Sequence, residues 1–217
     1  MSHLPKSAIR VPAMLLALIA LVGCSSGPKG PERSAKAVES FKDTRKHLAN
    51  ASKQVGATND SLRKLTTASG GDLRSMYNKF VDNVKETQDM AEGARKRAEN
   101  MRANSERYTA QWQKEMSTIS DAELRRMSEQ RAAAARTEFD RVRSAAAEVK
   151  AAYAPYRQGL QDVQQYLAND LTAAGVQSIG SKADDTIRKG EALQQRISDL
   201  QRELDSLASK WSSKAAK

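Results

Sequence analysis

The chain has 217 residues, a net charge of +10 and 29% charged residues, while only 5% of its residues are aromatic. A chain of this length can bury one hydrophobic core. Its abundance of Ala, Arg, Gln, Glu, Lys and Ser nevertheless favours long solvated helices over a compact globule. The single cysteine, Cys24, excludes an intrachain disulfide.

Residues 1–24 have the arrangement of an export signal. Lys6 and Arg10 precede an apolar run over residues 11–22 that is too short to span a bilayer comfortably. The run ends at Leu-Val-Gly23-Cys24, which resembles the lipobox of bacterial lipoproteins. The resemblance implies a signal peptide over residues 1–23, cleavage between Gly23 and Cys24, and acylation of Cys24 by a thioether-linked diacylglycerol with palmitate-type chains. A plain secretory signal or an uncleaved membrane anchor is the alternative.

The residues after the lipobox bear on location and organisation. In bacteria with two membranes, an Asp in the next position commonly retains a lipoprotein in the inner membrane, so Ser25 favours the periplasmic face of the outer membrane. Residues 24–32 contain Gly27, Pro28 and Pro31 among small polar residues, which predicts a flexible tether. We predict that residues 33–217 form one elongated helical coiled-coil domain.

Three breaks divide this helical region, and each has a serine followed three residues later by an acid, which is the capping-box spacing of a helix start. These pairs are Ser69 and Asp72, Ser120 and Glu123, and Ser181 and Asp184. Residues 56–60 could interrupt the first segment. Pro155 should kink the third helix or end it near Ala154.

Between the breaks, apolar residues recur at spacings of three and four, the signature of left-handed coiled-coil packing. The most regular seam is Leu73, Tyr77, Phe80, Val84, Thr87, Ala91, Ala94, Ala98, Met101, Ser105, Tyr108 and Trp112. A helix over this segment would measure roughly 65–70 Å, and short connections favour antiparallel neighbours. We therefore predict an all-α fold, an elongated antiparallel helical bundle or coiled coil of three to four long helices. The tryptophans, Trp112 and Trp211, continue seams and are interpreted as core residues near the rod's ends.

Residues 72–179 carry a more specific pattern. It comprises Trp112, Glu115 and Ile119, then Leu124, Arg125 and Ser128, then Pro155 and Leu160, and finally the stretch from Tyr166 to Ile179. This pattern resembles the bacterial family Domain of Unknown Function 2959, whose members are helical envelope proteins. The family usually has a His-Asn pair and a second Asn where this chain has Asn169, Asp170 and Thr172. The resemblance implies the fold and the envelope location, and it carries no established reaction.

Few residues of the mature chain could support catalysis. One histidine remains after removal of the signal peptide, His47, which we interpret as a solvated side chain. No set of His, Cys and carboxylate residues has metal-ligand spacing, and no glycine-rich phosphate loop or nucleophile motif is present. We therefore expect no cofactor, no metal and no enzymatic activity.

Basic residues in the second segment are the remaining candidates for binding. Contacts with anionic lipid, lipopolysaccharide or cell-wall glycan would fall on Arg95, Lys96, Arg97, Arg102 and Arg107. The alternative is that these charges only keep an Ala-rich helix soluble. We expect no nucleic-acid partner, because an exported protein meets none.

We favour a non-enzymatic structural or scaffolding lipoprotein that contacts another envelope component. The alternative is a binding module for an anionic lipid or glycan, and a regulator of an envelope enzyme is a third hypothesis. The fourth seam, residues 193–211, could pack within the chain or pair with a second copy to form a homo-oligomer.

Overall fold

The computed structural model describes residues 30–68 and 71–215, and the predicted signal peptide and Cys24 lie outside this part of the chain. Within it, five α-helices follow one another: α1 Gly30–Thr66, α2 Leu73–Met116, α3 Ala122–Asn169, α4 Ala173–Ser178 and α5 Gly180–Ala215. No strand occurs among these residues, and the all-α prediction is confirmed. α1 begins inside the predicted tether, so residues 30–32 are helical.

The four long helices form an antiparallel bundle. α1 packs against α2 and α5, and α3 packs against the same two helices. The connections are short: residues 67–72, residues 117–121 and, between α3 and α5, a segment that contains the six-residue α4. Because short connections make consecutive helices antiparallel, the chain runs up, down, up and down. The 48 residues of α3 extend roughly 70 Å at about 1.5 Å per residue.

Polar side chains determine where the helices begin. The carboxylates of Asp72 and Asp121 each accept a hydrogen bond from the backbone N–H three residues further on. The hydroxyl of Thr172 does the same at the start of α4. The first two predicted breaks are present, but aspartates rather than the serines are the capping residues. At the third, α5 begins at Gly180 directly after Ile179, with Ser181 in its first turn, and a further break at residues 170–172 precedes α4.

Pro155 lies inside α3, which continues to Asn169. The prediction that the helix ends near Ala154 is therefore wrong. A proline inside a helix costs about 3 kcal/mol or more, because it removes a hydrogen bond and crowds the preceding turn. Tyr156 and Leu160, which follow the proline, are at most 1% exposed, so tertiary packing holds this part of the helix in place. α1 likewise runs without interruption through residues 56–60.

The core changes character along the bundle. In the distal half, which contains the 67–72 connection, the fully buried side chains include Leu62, Leu65, Phe80, Tyr156 and Leu167. In the tip half, which contains the 117–121 connection, aromatic rings form a cluster with centroids 5.1–6.4 Å apart: Phe41, Tyr108, Trp112, Phe139 and Trp211. Both tryptophans pack in this cluster.

The seam of α5 faces into the bundle, where α1 and α3 pack against it. Its six side chains are all buried within the chain: Leu193, Ile197, Leu200, Leu204, Leu207 and Trp211. Of the two arrangements that the sequence left open, the structure shows intrachain packing. Pairing with a second copy through residues 193–211 would require the bundle to open.

Candidate functional site

The five basic residues predicted to contact an anionic partner all lie on α2 in exposed positions. Carboxylates accompany three of them. Arg95 donates to Glu92 at 2.9 Å through Nε and to Glu99 at 2.5 Å through Nη1. Lys96 lies 3.7 Å from Glu92, and Arg102 lies 3.8 Å from Glu106.

These pairs make a stripe of alternating charge along α2. Spacings of three and four place Glu92, Arg95, Glu99, Arg102 and Glu106 on one face of the helix. The hydrogen bond from Arg95 lowers the pKa of the Glu92 carboxyl, so this group stays ionised. The sequence places these partner carboxylates at the spacing expected for ion pairs on a helix. An interpretation that considers only the basic residues omits them.

The other two basic residues are engaged differently. Arg107 donates a hydrogen bond to the Asn104 side chain. Arg97 lines a groove of about 320 Å³ between α1 and α2, together with residues that include Lys36, Glu39 and Asp43. No carboxylate of the described residues lies within 4 Å of the Arg97 guanidinium. The groove carries both signs of charge, so it does not form a purely cationic site.

His47 lies between α1 and α2. The imidazole is half-buried, its Nε2 is 3.3 Å from the Met90 carbonyl oxygen, and it fills space left by the absent side chain of Gly93. The prediction of a solvated side chain is therefore wrong, because a glycine on the neighbouring helix admits the ring. His47 acts here as a packing residue between two helices.

A buried polar layer crosses the distal half. The Tyr156 hydroxyl donates to the Asn59 side-chain oxygen at 2.9 Å, and the Asn59 amide donates to the Ile187 carbonyl at 3.2 Å. The hydroxyls of Thr58 and Thr87 lie 2.8 Å apart in the same layer. Every buried side-chain nitrogen and oxygen among the described residues has a hydrogen-bond partner. Such a satisfied network favours one helix register over others.

Burial raises the pKa of the Tyr156 phenol well above its usual range, and the nearby Tyr153 raises it further. The phenol is therefore held neutral inside the bundle. Residues 56–60, where the sequence allows an interruption of the first helix, are helical throughout. The side chains of Thr58 and Asn59 instead belong to the core, where partners from three other helices meet them.

Within residues 30–68 and 71–215, no three His, Cys, Asp or Glu side chains come together in a way that could hold a metal ion. No helix in the described part of the chain combines the length and the apolar character needed to cross a membrane.

A groove of about 600 Å³ between α1 and α2 is lined largely by polar and charged side chains, among them Asp60, Lys64, Lys79 and Glu86. The predicted lipidation site remains a prediction, since Cys24 lies outside the described residues.

Residues 29–213 match the model of a protein family described as Protein of unknown function (DUF2959). This match extends well beyond residues 72–179, whose pattern carries the resemblance in the sequence. No curated protein and no solved structure matches the chain.

Proposed function

We propose, from the premise that the chain belongs to the DUF2959 family of proteins of unknown function, that it is a non-enzymatic lipoprotein of the bacterial envelope. Acylated Cys24 holds it on the periplasmic face of the outer membrane, and the helical bundle acts as a structural or scaffolding rod. The observation that carries the proposal is the bundle itself, in which four antiparallel helices of 36 to 48 residues form one elongated body.

The position of the predicted anchor supports a rod that is held by one end. Residues 25–29 alone separate Cys24 from Gly30, and six residue steps span at most about 22 Å. The 37 residues of α1 place the 67–72 connection roughly 55 Å from Gly30. A component bound at that far end is therefore contacted well clear of the membrane surface.

The interior and the surface also favour a structural role. The buried polar groups satisfy one another, and the core is filled by side chains along its length. Charged residues of both signs cover the outside of the helices, as on the α2 stripe. Contacts with another envelope component are thus made by the outer surface of the rod.

The anchor is tested by Cys24→Ser. We expect this variant to lose labelling by a fatty-acid analogue and to leave the membrane fraction or accumulate as an unprocessed precursor. Ser26→Ala is the matched control and should be labelled normally. Labelling of the Cys24→Ser chain at the normal level would refute the lipoprotein proposal. Ser25→Asp tests the location, and density-gradient fractionation should then find the protein in the inner membrane.

The scaffolding role is tested by crosslinking in cells followed by mass spectrometry. A photoreactive residue at the exposed Lys64, near the far end of the rod, should capture a specific envelope component. The same residue at the exposed Arg143, on the side of α3, is the control position. The absence of any crosslinked envelope component from positions around the rod would remove the basis for a scaffold.

A binding module for anionic lipid or glycan is the second candidate, because Arg95, Lys96 and Arg102 keep more than half of their side chains exposed. In the non-acylated Cys24→Ser chain, replacement of Arg95, Arg97 and Arg102 by Gln should then abolish co-sedimentation with anionic vesicles. Replacement of Arg136, Arg141 and Arg143 by Gln removes the same charge from α3 and is the control. Equal binding by the two triple variants would rule out a specific α2 site.

A further inference from the structure

The tip half ends in a projection of α2 and α3 beyond the other helices. The contact between His47 and Met90 gives the register of α1 against α2. Antiparallel helices advance in opposite directions at the same rise per residue, so Gly30 lies beside about residue 107 of α2. Everything on α2 from there to Met116 extends past the beginning of α1.

α3 likewise extends past the end of α5. Lys210 lies 2.7 Å from Glu138, which places the end of α5 at Ala215 beside about residue 133 of α3. Beyond the contact between Tyr108 and Trp211, the described part of the chain continues as a helical hairpin made of α2, α3 and their connection. We call residues 108–132 the tip.

The tip is built as a firm structure. The Trp112 indole N–H donates to the Ser128 hydroxyl at 2.9 Å and joins the two helices. The Arg125 guanidinium donates to the carbonyl oxygens of Ile119 and Ser120, at 2.8 Å and 3.4 Å, and so closes the connection. Side chains near the start of α3 are therefore presented in a defined orientation.

Two large apolar side chains stand exposed on this tip. Leu124 is 57% exposed and Met127 is 50% exposed. Spacings of three and four place them on the same face as Arg131. No carboxylate of the described part of the chain lies within 4 Å of the Arg131 guanidinium. One face of the tip therefore presents Leu124 and Met127, which we call the apolar pair, and the cationic side chain of Arg131 lies one turn further along α3.

The two segments that flank the described helices carry no large apolar side chain. Residues 25–29 read Ser-Ser-Gly-Pro-Lys, and residues 213–217 read Ser-Lys-Ala-Ala-Lys. Neither of these two segments therefore supplies a large apolar side chain to pack on Leu124 and Met127.

The predicted lipid anchor precedes the start of α1 in the chain, and Gly30 lies at the tip end of the bundle. The link between Trp112 and Ser128 sets Leu124 beside about residue 116, so it projects roughly 13 Å beyond the level of Gly30. Cys24 can be at most about 22 Å from Gly30. A bilayer that holds the acyl chains of Cys24 is therefore within reach of the tip.

We propose that the tip docks on the surface of the phospholipid bilayer, with Leu124 and Met127 inserted among the headgroups and Arg131 at the level of the phosphates. This proposal rests on the proposed lipid anchor at Cys24. Apolar side chains with a neighbouring long cationic side chain suit the interface between headgroups and acyl chains. The bundle then has two attachments to the membrane, which set its orientation.

Attraction to anionic lipid does not drive this contact, because the charges of residues 108–132 balance. The basic residues are Lys114, Arg125, Arg126 and Arg131, and the acidic ones are Glu115, Asp121, Glu123 and Glu129. The contact is therefore carried by the apolar pair. This separates it from binding through the α2 basic residues, which depends on negative charge.

The test places a fluorophore beside the apolar pair in the intact lipoprotein. Acylated Cys24 has no free thiol, so Ser120→Cys supplies a unique labelling position in the exposed connection of the tip. Thr67→Cys, in the exposed connection at the opposite end, is the control. Each labelled protein is reconstituted into phosphatidylcholine vesicles that carry spin-labelled acyl chains. We expect the label at residue 120 to lose most of its fluorescence and the label at residue 67 to keep it.

Replacing both apolar side chains, by Leu124→Ser and Met127→Ser, should remove the quenching at residue 120. Both side chains are at least half exposed, so the fold is retained. Three results overturn the proposal while leaving the anchor intact: no quenching at residue 120 in a protein that floats with the vesicles, equal quenching at both positions, or disulfide crosslinking between tips without quenching. A chain that neither floats nor takes up a fatty acid overturns the anchor as well.

Discussion

The α2 seam keeps the same heptad spacing through the distal and tip halves of the bundle, yet it is buried to different depths in the two halves. In the distal half, α2 contributes Phe80, Val84 and Thr87, each at most 4% exposed. In the tip half the same seam continues through Ala91 and Ala94, which stay partly exposed. Regular spacing thus determines which face turns inward. The size of the side chains and the number of neighbouring helices decide how much area that face buries.

The halves also differ in what holds the helices in register. In the distal half, hydrogen bonds between Asn59, Tyr156 and the backbone of α5 have directions that a shifted helix would break. In the tip half, aromatic rings such as Phe41 and Trp211 meet at 6.0 Å with no such directional bond between them. We therefore expect substitutions in the distal half to lower stability more.

The largest expected effect is the truncation of a fully buried leucine. Leu62→Ala removes a side chain with no exposed area, and we expect the free energy of unfolding to fall by about 3 kcal/mol. Met101→Ala truncates a partly buried seam residue of the tip half and should lower it by about 1 kcal/mol. Urea unfolding followed by far-ultraviolet circular dichroism measures both. Equal losses would contradict the contrast between the halves.

The next effect comes from a close approach in the polar layer. A Cβ at Gly190 would lie 2.6 Å from the Asn59 amide and 2.8 Å from the Tyr156 ring. Because neither group can move without breaking its hydrogen bonds, Gly190→Ala should lower the free energy of unfolding by about 2 kcal/mol. Gly180→Ala is the control, since nothing lies within 4 Å of a Cβ there. A Gly190→Ala chain as stable as the control would show that the layer tolerates displacement.

The Tyr156 hydroxyl can be removed without changing the shape of the core. Tyr156→Phe leaves the Asn59 side-chain oxygen without its donor, and we expect a loss of about 1–2 kcal/mol at neutral pH. Trp112→Phe removes the single hydrogen bond to the half-buried Ser128 in the tip half and should cost less. The two variants are compared by the same urea unfolding. A larger loss in the free energy of unfolding for Trp112→Phe than for Tyr156→Phe would contradict the expectation that the distal half contributes more to stability.

Alkaline pH gives a second test of this hydroxyl. Burial raises the pKa of Tyr156 in the folded state above the value near 10 of an unfolded chain. Its contribution to stability is therefore complete below pH about 10, and it declines as the pH rises from there through the folded-state pKa. Tyr156→Phe should lose less stability above pH about 10 than the unaltered chain. Parallel stability curves for the two chains would contradict this.

Much of the fold is predictable from spacing alone. The seams of α2, α3 and α5 face inward as the apolar repeats indicate, and the breaks near residues 70 and 120 are where turn residues occur. The continuity of α3 through Pro155 is not predictable in the same way, because it depends on tertiary packing of Tyr156 and Leu160 against other helices. Sequence patterns describe the helix preference of one stretch of the chain, whereas the continuity of α3 is stabilised by its contacts with other helices.

The candidate sites were harder to predict for the same reason. His47 is predicted to be solvated because it falls on a polar helix face, but a glycine across the helix interface admits the ring. The exposure of Leu124 follows from where α1 and α5 end, and the apolar pattern of α3 alone cannot show it. The ion pairs of Arg95, by contrast, follow from local spacing on one helix.

The smallest expected effect is on those ion pairs. Arg95→Gln should leave the urea midpoint unchanged, because an exposed ion pair exchanges its partners for water at little cost. Arg126→Gln is the control: it removes the same charge from an exposed side chain that pairs with no carboxylate in the described part of the chain. If Arg95→Gln lowers the midpoint at low salt and not at high salt, the stripe supports the bundle. An anionic partner would then have to break these pairs before it could bind, which argues against the second candidate function.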